Sequence, residues 1–360
     1  MYNTSLDSNQ TMELSSIKHV NDMEVIKFIL AIMGVLGNTL AAIVWADDRR
    51  KSSSSLFLLC LSLYDLVYLG GVVISLVLYF ERFTDLNIPI LNVKIANNIL
   101  SIIYNAALCG SSLSTVAITA ERYIAVCKPL KVIVVCSRKR AKMVVSAVGG
   151  VCILYAVLYA MYVFMIVIPV LQRVAGSNLS RCVNSEGNIS VTTCTPDNYV
   201  SWIIKYEYDI TLIVGQALLV YIVPWVTILF LNILLLKEMS TSDFGSNFRS
   251  AARRQLEKRL VLSVMAVCAL SLISHPVGFV GLMLPLFVQG RVSRSSSYLF
   301  DTWNILKLVN SGANFVFYST ISAQFRRTLM QKIQCLCCRR VTEPYSYTAT
   351  NSEPTVTCSQ

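Results

Sequence analysis

The chain has 360 residues, of which 55% are hydrophobic and only 14% charged, and it carries a net charge of +11 at pH 7. Soluble domains carry about 25% charged residues, so this chain cannot cover a water-facing surface of its size. Composition therefore excludes an ordinary soluble enzyme, a disordered chain and a nucleic-acid-binding module, and leaves an integral membrane protein.

A helical span needs about 20 mostly apolar residues. Residues 1–23 are polar and lack the hydrophobic stretch of a signal peptide. They are expected to form an arm outside the membrane, with the first span, residues 24–46, acting as its own insertion signal. The second span, 56–80, carries Asp65. The third, 93–127, holds Asn97, Asn98, Asn105 and a run of serines, so it belongs inside a bundle where those groups find partners. The fourth runs over 143–171, the fifth over 209–237 with Pro224, and the sixth over 260–288 with His275-Pro276. The seventh, 298–320, contains Asn310, Ser311, Asn314 and Tyr318. Residues 321–338 read as an amphipathic helix lying on the membrane. The tail, 339–360, is rich in Ser and Thr and is expected to be disordered. The apolar runs are continuous and do not alternate, which excludes a membrane β-barrel. The predicted fold is an all-α membrane protein: a seven-transmembrane helix bundle, residues 24–320, with a short amphipathic eighth helix.

Seven spans put the termini on opposite sides. With the N-terminus outside, twenty Lys and Arg residues fall in the inner loops and tail and nine outside. This bias follows the positive-inside rule, so the basic charge is mostly a topology signal. The four Asn-X-Ser/Thr sequons, Asn3, Asn9, Asn178 and Asn188, all fall on the outer side in the same arrangement, where glycosylation occurs. The expectation is a multi-pass plasma-membrane protein with an extracellular N-terminus and a cytoplasmic C-terminus.

Of twelve cysteines, Cys60, Cys109, Cys152 and Cys268 lie within spans and read as reduced packing residues. Cys127 and Cys136 are near or in the cytosol, and Cys182 and Cys194 face the oxidising side. Cys335, Cys337 and Cys338 sit beside the amphipathic segment and are palmitoylation candidates. A zinc site there would need further ligands, and no His or second Cys pair is near.

The intramembrane polar residues form an ordered set. Gly37-Asn38 lies in span 1, Asp65 in span 2 and Glu121-Arg122-Tyr123 at the end of span 3. Pro224 follows in span 5, Pro276 in span 6, and Asn314-Phe315-Val316-Phe317-Tyr318 closes span 7. This set resembles the rhodopsin-like family of G-protein-coupled receptors over residues 24–338. The resemblance implies that Glu121 holds Arg122 at rest and that Arg122 then turns to a heterotrimeric G protein. Tyr123, Asn314 and Tyr318 belong to the same coupling machinery. A guanidinium suits a switch between partners; the plainer alternative is a juxtamembrane charge pair.

Asp65, Ser111, Asn310, Ser311 and Asn314 match the family's buried sodium pocket, with the ion as allosteric modulator and no other cofactor. Their oxygens suit a hard cation, and Asn310 and Asn314, four apart, would share a helix face. The alternative is a neutral Asp65 in a polar network. The family also implies arrestin binding to a phosphorylated tail. It usually ties span 3 to the second outer loop by a disulfide. The matching span 3 position is Asn97, so a Cys182–Cys194 bridge within the loop is the remaining option. Four further departures stand out: Ser274 for the usual Trp before Pro276, Phe315 for the usual Pro of span 7, Asn232 for a Tyr in span 5, and no Trp in span 4.

Ligand class is read from two positions. Amine receptors carry an Asp where this chain has Tyr104, and opsins carry their retinal Lys where it has Leu308, one step from Lys307. The stretch 310–327 resembles peptide receptors, FMRFamide-type ones among them. Receptors for lipids also lack the span 3 Cys and are the alternative of the same family. A transporter or channel is the alternative of another class, but the chain shows no internal repeat. An enzyme lacks a catalytic set, with His19 and His275 the only histidines. Tyr104 lies 18 residues, about 27 Å, above Arg122, and Lys307 seven residues, about 10 Å, above Asn314. Both are expected to border an outward ligand cavity. Lys307 would there snorkel to water, pair with Asp301, or anchor an acidic or carbonyl group of the ligand.

Overall fold

Continuous apolar runs in lipid leave the backbone one solution, because each N–H and C=O must be bonded within its own segment. Every regular element among the described residues of this computed structural model is accordingly helical. Those residues are 4–47, 52–81, 90–128, 131–132, 136–169, 171–172, 215–240, 251–287 and 294–341. In chain order, α1 is Thr4–Ala46, α2 Ser53–Glu81, α3 Ile90–Cys127 and α4 Arg138–Tyr162. Next, α5 is Val223–Ser240, α6 Ala251–Phe287, α7 Arg294–Gly312, α8 Asn314–Ile321 and α9 Ala323–Val341.

Among the described residues, six stretches are long and apolar enough to cross a membrane: Asp22–Ala46, Ser53–Phe80, Leu91–Cys127, Arg138–Met165, Ala217–Ser240 and Val261–Val280. The expected seventh span is present but divided. It consists of α7 and α8, which meet at Ala313 (φ −77°, ψ −12°). The two pieces stay stacked, since Ala313 N–H reaches Val309 O at 2.9 Å and Ala313 O accepts from Phe317 N–H at 3.1 Å.

Several details differ from expectation. The first helix begins at Thr4, so the polar arm continues the helical path and carries Asn9 on it. The last helix extends to Val341, past the expected end at 338. Within the fourth span, α4 passes at Val163–Val167 into a π-helical turn. Another π-helical turn, Ala217–Ile222, precedes α5. In each, an N–H reaches five residues back, Ile168 to Val163 and Val223 to Leu218. Prolines explain both positions. Pro169 and Pro224 follow directly, and a proline ring clashes with the carbonyl four residues earlier and removes a donor. A single wide turn relieves that clash without breaking the helix.

Burial follows the polar content of the spans. The third span has the largest enclosed share of its most apolar stretch, 56%, and the fourth the smallest, 11%. Its serines and asparagines place α3 inside, as expected. Large apolar side chains such as Ile153 and Met165 face outward at 68% and 75% exposure, which suits a surface solvated by lipid. The interior has two main layers. The outer one packs Tyr68, Leu69, Leu108, Tyr221, Trp303 and Leu308. The inner one packs Trp45, Leu58, Ile118, Ile228, Val264 and Tyr318 with Phe325 of α9. The span cysteines Cys60, Cys109, Cys152 and Cys268 are free thiols.

Small residues let two helix pairs approach closely. A Cβ on Gly34 would lie 3.2 Å from Gly312 Cα, where α1 meets α7. A Cβ on Gly110 would lie 2.4 Å from the Tyr64 ring, where α3 meets α2. The Tyr64 ring fills the space a side chain would need. Gly110→Val should therefore destabilise the bundle by about 1–3 kcal/mol, the usual cost of overpacking. Thermal unfolding of the purified protein in detergent checks this; an unchanged midpoint would show that the ring moves aside freely.

Candidate functional site

The bundle holds polar groups at three depths. At the end that the charge bias assigns to the outside lies a cavity of about 450 Å³. Such a volume falls in the range of small-ligand sites. α3 lines it with Asn97, Asn98, Ser101, Tyr104 and Asn105, and α7 with Trp303, Asn304, Lys307 and Leu308. Glu24 and Lys27 come from α1, Tyr68 and Ser75 from α2, Tyr159 from α4, and Gln216 from the turn before the second π segment. The structure thus places Tyr104 and Lys307 on one cavity.

Lys307 Nζ sits over the Trp303 ring, 3.9 Å from its centroid, one helical turn back on α7. A cation over an indole face is favourable, more so away from water. Asp301 is not its partner. That carboxylate instead accepts from Lys27 Nζ at 2.7 Å, and Glu24 Oε1 accepts from the same nitrogen at 2.7 Å. Lys27 is only 6% exposed, so it is a buried tie between α1 and α7 and not one of the outer-surface charges. The remaining lining is rich in uncharged hydrogen-bonding groups. Gln216 Nε2 donates to Asn105 Oδ1 at 3.3 Å, Ser75 Oγ to Asn97 Oδ1 at 2.7 Å, and Ser101 Oγ to Tyr159 Oη at 3.4 Å. Tyr104 stands edge-on to Tyr68, with ring centroids 6.4 Å apart.

Midway down, Asp65 is fully buried. Ser111 Oγ donates to its Oδ1 at 2.7 Å, and Asn314 Nδ2 to its Oδ2 at 2.6 Å. Ser311, also fully buried, lies against the same carboxylate. Asn38 secures the neighbourhood from α1, donating to Ser311 O at 2.8 Å and Gly34 O at 3.0 Å. Asn310 does not join this group. Its Oδ1 accepts from Ser271 Oγ of α6 at 3.1 Å. Four of the five residues expected around an ion are therefore together, and the fifth connects α7 to α6. The donor set fits a hard cation: it offers a carboxylate, hydroxyls and amide oxygens, and the buried Asn314 Oδ1 has no hydrogen-bond partner among the described residues.

Around Pro276 the side chains reach three neighbours. His275 Nδ1 lies 2.6 Å from Ser271 O, and its Nε2 3.3 Å from Ser112 Oγ of α3. It is a packed, hydrogen-bonded helix residue, with Tyr221 edge-on to its ring. Trp225 Nε1 of α5 donates to Leu272 O at 3.0 Å. Ser274, where a Trp was expected from the resemblance, folds its hydroxyl back toward Ser271 O at 3.4 Å. Asn232 likewise bonds its own helix, reaching Ile228 O at 2.8 Å.

At the inner end, Glu121 and Arg122 are each 6% exposed. Arg122 Nη2 lies 3.3 Å from Glu121 Oε2 and also donates to Ser54 Oγ of α2. Ser53 Oγ donates to Glu121 Oε1 and lies 3.0 Å from Cys136 O. The pair is thus enclosed, bound to α2 as well as to itself. Tyr123 packs with Val126, Leu235 and Val261 beside α5 and α6, and Lys128 Nζ stands 5.6 Å from its ring centroid. Tyr318 is buried against Trp45 and Phe325, with centroids at 5.5 and 5.8 Å. Phe315 occupies the usual proline position; its Cβ leaves only 3.0 Å for any side chain at Gly37, and its ring meets Phe325 at 5.8 Å.

Cys335, Cys337 and Cys338 lie on α9. Asn3, Asn178, Asn188, Cys182 and Cys194 lie outside the described residues. Sequence reading did not single out Lys27, Glu24, Trp303, Gln216, Ser53, Ser54 or Trp225. A lysine inside the apolar first span and an indole four residues before Lys307 were the available signals.

Comparison with known proteins follows the same lines. The profile of the family described as 7 transmembrane receptor (rhodopsin family) matches residues 37–318. The FMRFamide peptide receptor frpr-18 of Caenorhabditis elegans is 26% identical over 334 residues, which cover 89% of this chain and 71% of that protein. The FMRFamide receptor of Drosophila melanogaster is 24% identical over 84% of this chain. The chain spans about half the length of that fly protein, 52%. The somatostatin receptor type 2 of Sus scrofa is 22% identical over 92% of this chain and 82% of its own length.

Proposed function

The chain belongs to the rhodopsin family of seven-transmembrane receptors, and from that premise we propose that it binds an extracellular peptide and activates a heterotrimeric G protein. Family membership makes it a multi-pass membrane receptor and sets aside the enzyme, transporter and channel readings. The observation that carries the peptide reading is the cavity. Its wall offers Asn97, Asn98, Asn105, Gln216, Asn304, Ser75 and Ser101, a set of donors and acceptors matched to main-chain amides. Several of these groups bond one another, and a lipid chain could use none of the hydrogen-bonding capacity they have left. The names of the relatives, FMRFamide and somatostatin receptors, support the same class.

In this reading Lys307 anchors a carbonyl or acidic group of the ligand, with Tyr104 beside it to stack or hydrogen-bond. Arg122, with Glu121, Tyr123, Asn314 and Tyr318, carries coupling to the G protein. Asp65, Ser111, Ser311 and Asn314 hold a sodium ion that favours the resting arrangement, while Asn310 connects this region to α6. The N-terminus is extracellular, with glycans on Asn3, Asn9, Asn178 and Asn188 and a Cys182–Cys194 bridge in the second outer loop. Cys335, Cys337 and Cys338 carry palmitate, and the phosphorylated tail recruits arrestin.

A library of short peptides, amidated ones first, read out by G-protein activation, tests the proposal; activation by lipids alone would overturn it. With an activating peptide in hand, Lys307→Met should weaken it more than about tenfold, the loss of one charge-assisted contact. Tyr104→Phe isolates the hydroxyl. Unchanged potency in both variants would move the ligand to the outer loops.

A further inference from the structure

A proline inside a helix leaves one carbonyl without its donor, the one four residues earlier. For Pro276 that carbonyl is Leu272 O. It lies in the membrane-spanning part of α6, where lipid offers no replacement for the missing N–H. The structure gives it a partner from another helix: Trp225 Nε1 donates to it at 3.0 Å. Trp225 is placed for this by its own surroundings. It follows Pro224 and the π-helical turn Ala217–Ile222, so the first regular turn of α5 stands beside Leu272. The other polar side chains near Pro276 bond elsewhere. His275 reaches Ser112 and Ser271 O, and Ser271 Oγ reaches Asn310. Among the described residues, the Trp225 indole is the side chain that answers the carbonyl freed by the proline.

We propose that Trp225 is the positioning residue of the Pro276 hinge. Its indole N–H fastens α6 to α5 in the resting arrangement, and activation proceeds by releasing that bond. A kink whose freed carbonyl is bonded within its own helix bends independently of its neighbours. Here the bond crosses to α5, so bending α6 away from α5 must break it. The inner end of α6, beyond Val261 and beside Tyr123, is then free to move and open the enclosure around Arg122. This step rests on the receptor reading; the hydrogen bond and its effect on the helix do not.

The test uses the full-length receptor in lipid nanodiscs and needs no ligand. Trp225→Phe keeps a ring and removes the donor. Amide hydrogen exchange of residues 272–280 should rise about tenfold, as expected for losing a buried hydrogen bond. Agonist-independent nucleotide exchange on a panel of G proteins should rise with it. Pro276→Ala supplies a backbone N–H to Leu272 O and makes the indole redundant. In that background Trp225→Phe should change neither readout. If Trp225→Phe alone fails to accumulate, Pro276→Ala should rescue it. Equal effects of Trp225→Phe in both backgrounds, no effect in either, or failure of rescue would overturn the proposal. Faster amide exchange with unaltered G-protein activation would assign the bond to stability alone and overturn the positioning role. A wild type that activates no G protein even with the peptide library would instead count against the receptor function.

Discussion

Arg122→Ala is expected to abolish G-protein activation, by about 100-fold or more, while the receptor still reaches the cell surface. The size follows from what the guanidinium holds. Arg122 is enclosed at the inner end of α3, bonded to Glu121 and to Ser54. Hydrogen bonds to charged groups are each worth about 1.5–3 kcal/mol, and a roughly hundredfold change corresponds to about 2.7 kcal/mol. One such bond, moved to the G protein in the proposed active arrangement, would account for the effect. Folding should survive, because Glu121 keeps Ser53 as a donor. Arg122→Lys should recover only part of the signal, since an ammonium cannot present the planar fork. Nucleotide exchange on purified G protein, normalised to surface receptor, measures this. Signalling within about threefold of wild type would leave Glu121–Arg122 as a plain charge pair.

The second large effect concerns Asp65. Wild-type receptor should unfold at a higher temperature in sodium chloride than in an equal concentration of N-methylglucamine chloride, because an ion that binds the folded state stabilises it by mass action. Asp65→Ala should remove that difference. It should also lower the midpoint in both salts, because Ser111 Oγ and Asn314 Nδ2 lose their acceptor. Each buried donor left unpaired costs about 1–3 kcal/mol. Asp65→Asn separates the two effects: it keeps an acceptor oxygen and the side-chain shape but removes the charge. Its midpoint should lie close to wild type, yet without sodium dependence. A sodium-specific shift that persists in Asp65→Asn would place the ion elsewhere.

Much of this arrangement was legible from residue order alone. Seven apolar runs, each separated by polar or charged residues, predict seven crossings, and α1–α8 follow them. The polar load of the third run predicts its central place, and α3 is the most enclosed span. Helical rise, with the family resemblance, put Tyr104 and Lys307 at the border of an outward cavity, and both line one cavity. The misses have physical causes. Asn310 and Asn314 were read as one helical face, but the helix is interrupted at Ala313 between them, and Asn310 bonds α6. Lys307 and Asp301 were considered a pair because they share a helix. Asp301 found Lys27 instead, 274 residues away in the chain, a pairing that only the closed bundle creates. Ser53 and Ser54 belong to a serine run that reads as a helix start; their bonds to Glu121 and Arg122 come from α3 arriving beside them.

The π-helical turn before α5 has one more consequence, for how the fifth helix is aligned with any other. A π turn holds one residue more than an α turn, so it resets the angular frame of everything that precedes it. Each residue of an α-helix advances about 100° around the axis. Deleting a single residue between 217 and 222 would leave Trp225 and the lower face where they are. It would swing Gln216 by about 100°, away from Asn105 and out of the cavity wall. A sequence column that matches this helix to a relative without the extra residue is therefore correct below Pro224 and names the wrong face above it. Cavity residues on this helix must be compared by geometry, counting from the cavity downward, and not by their distance from the proline.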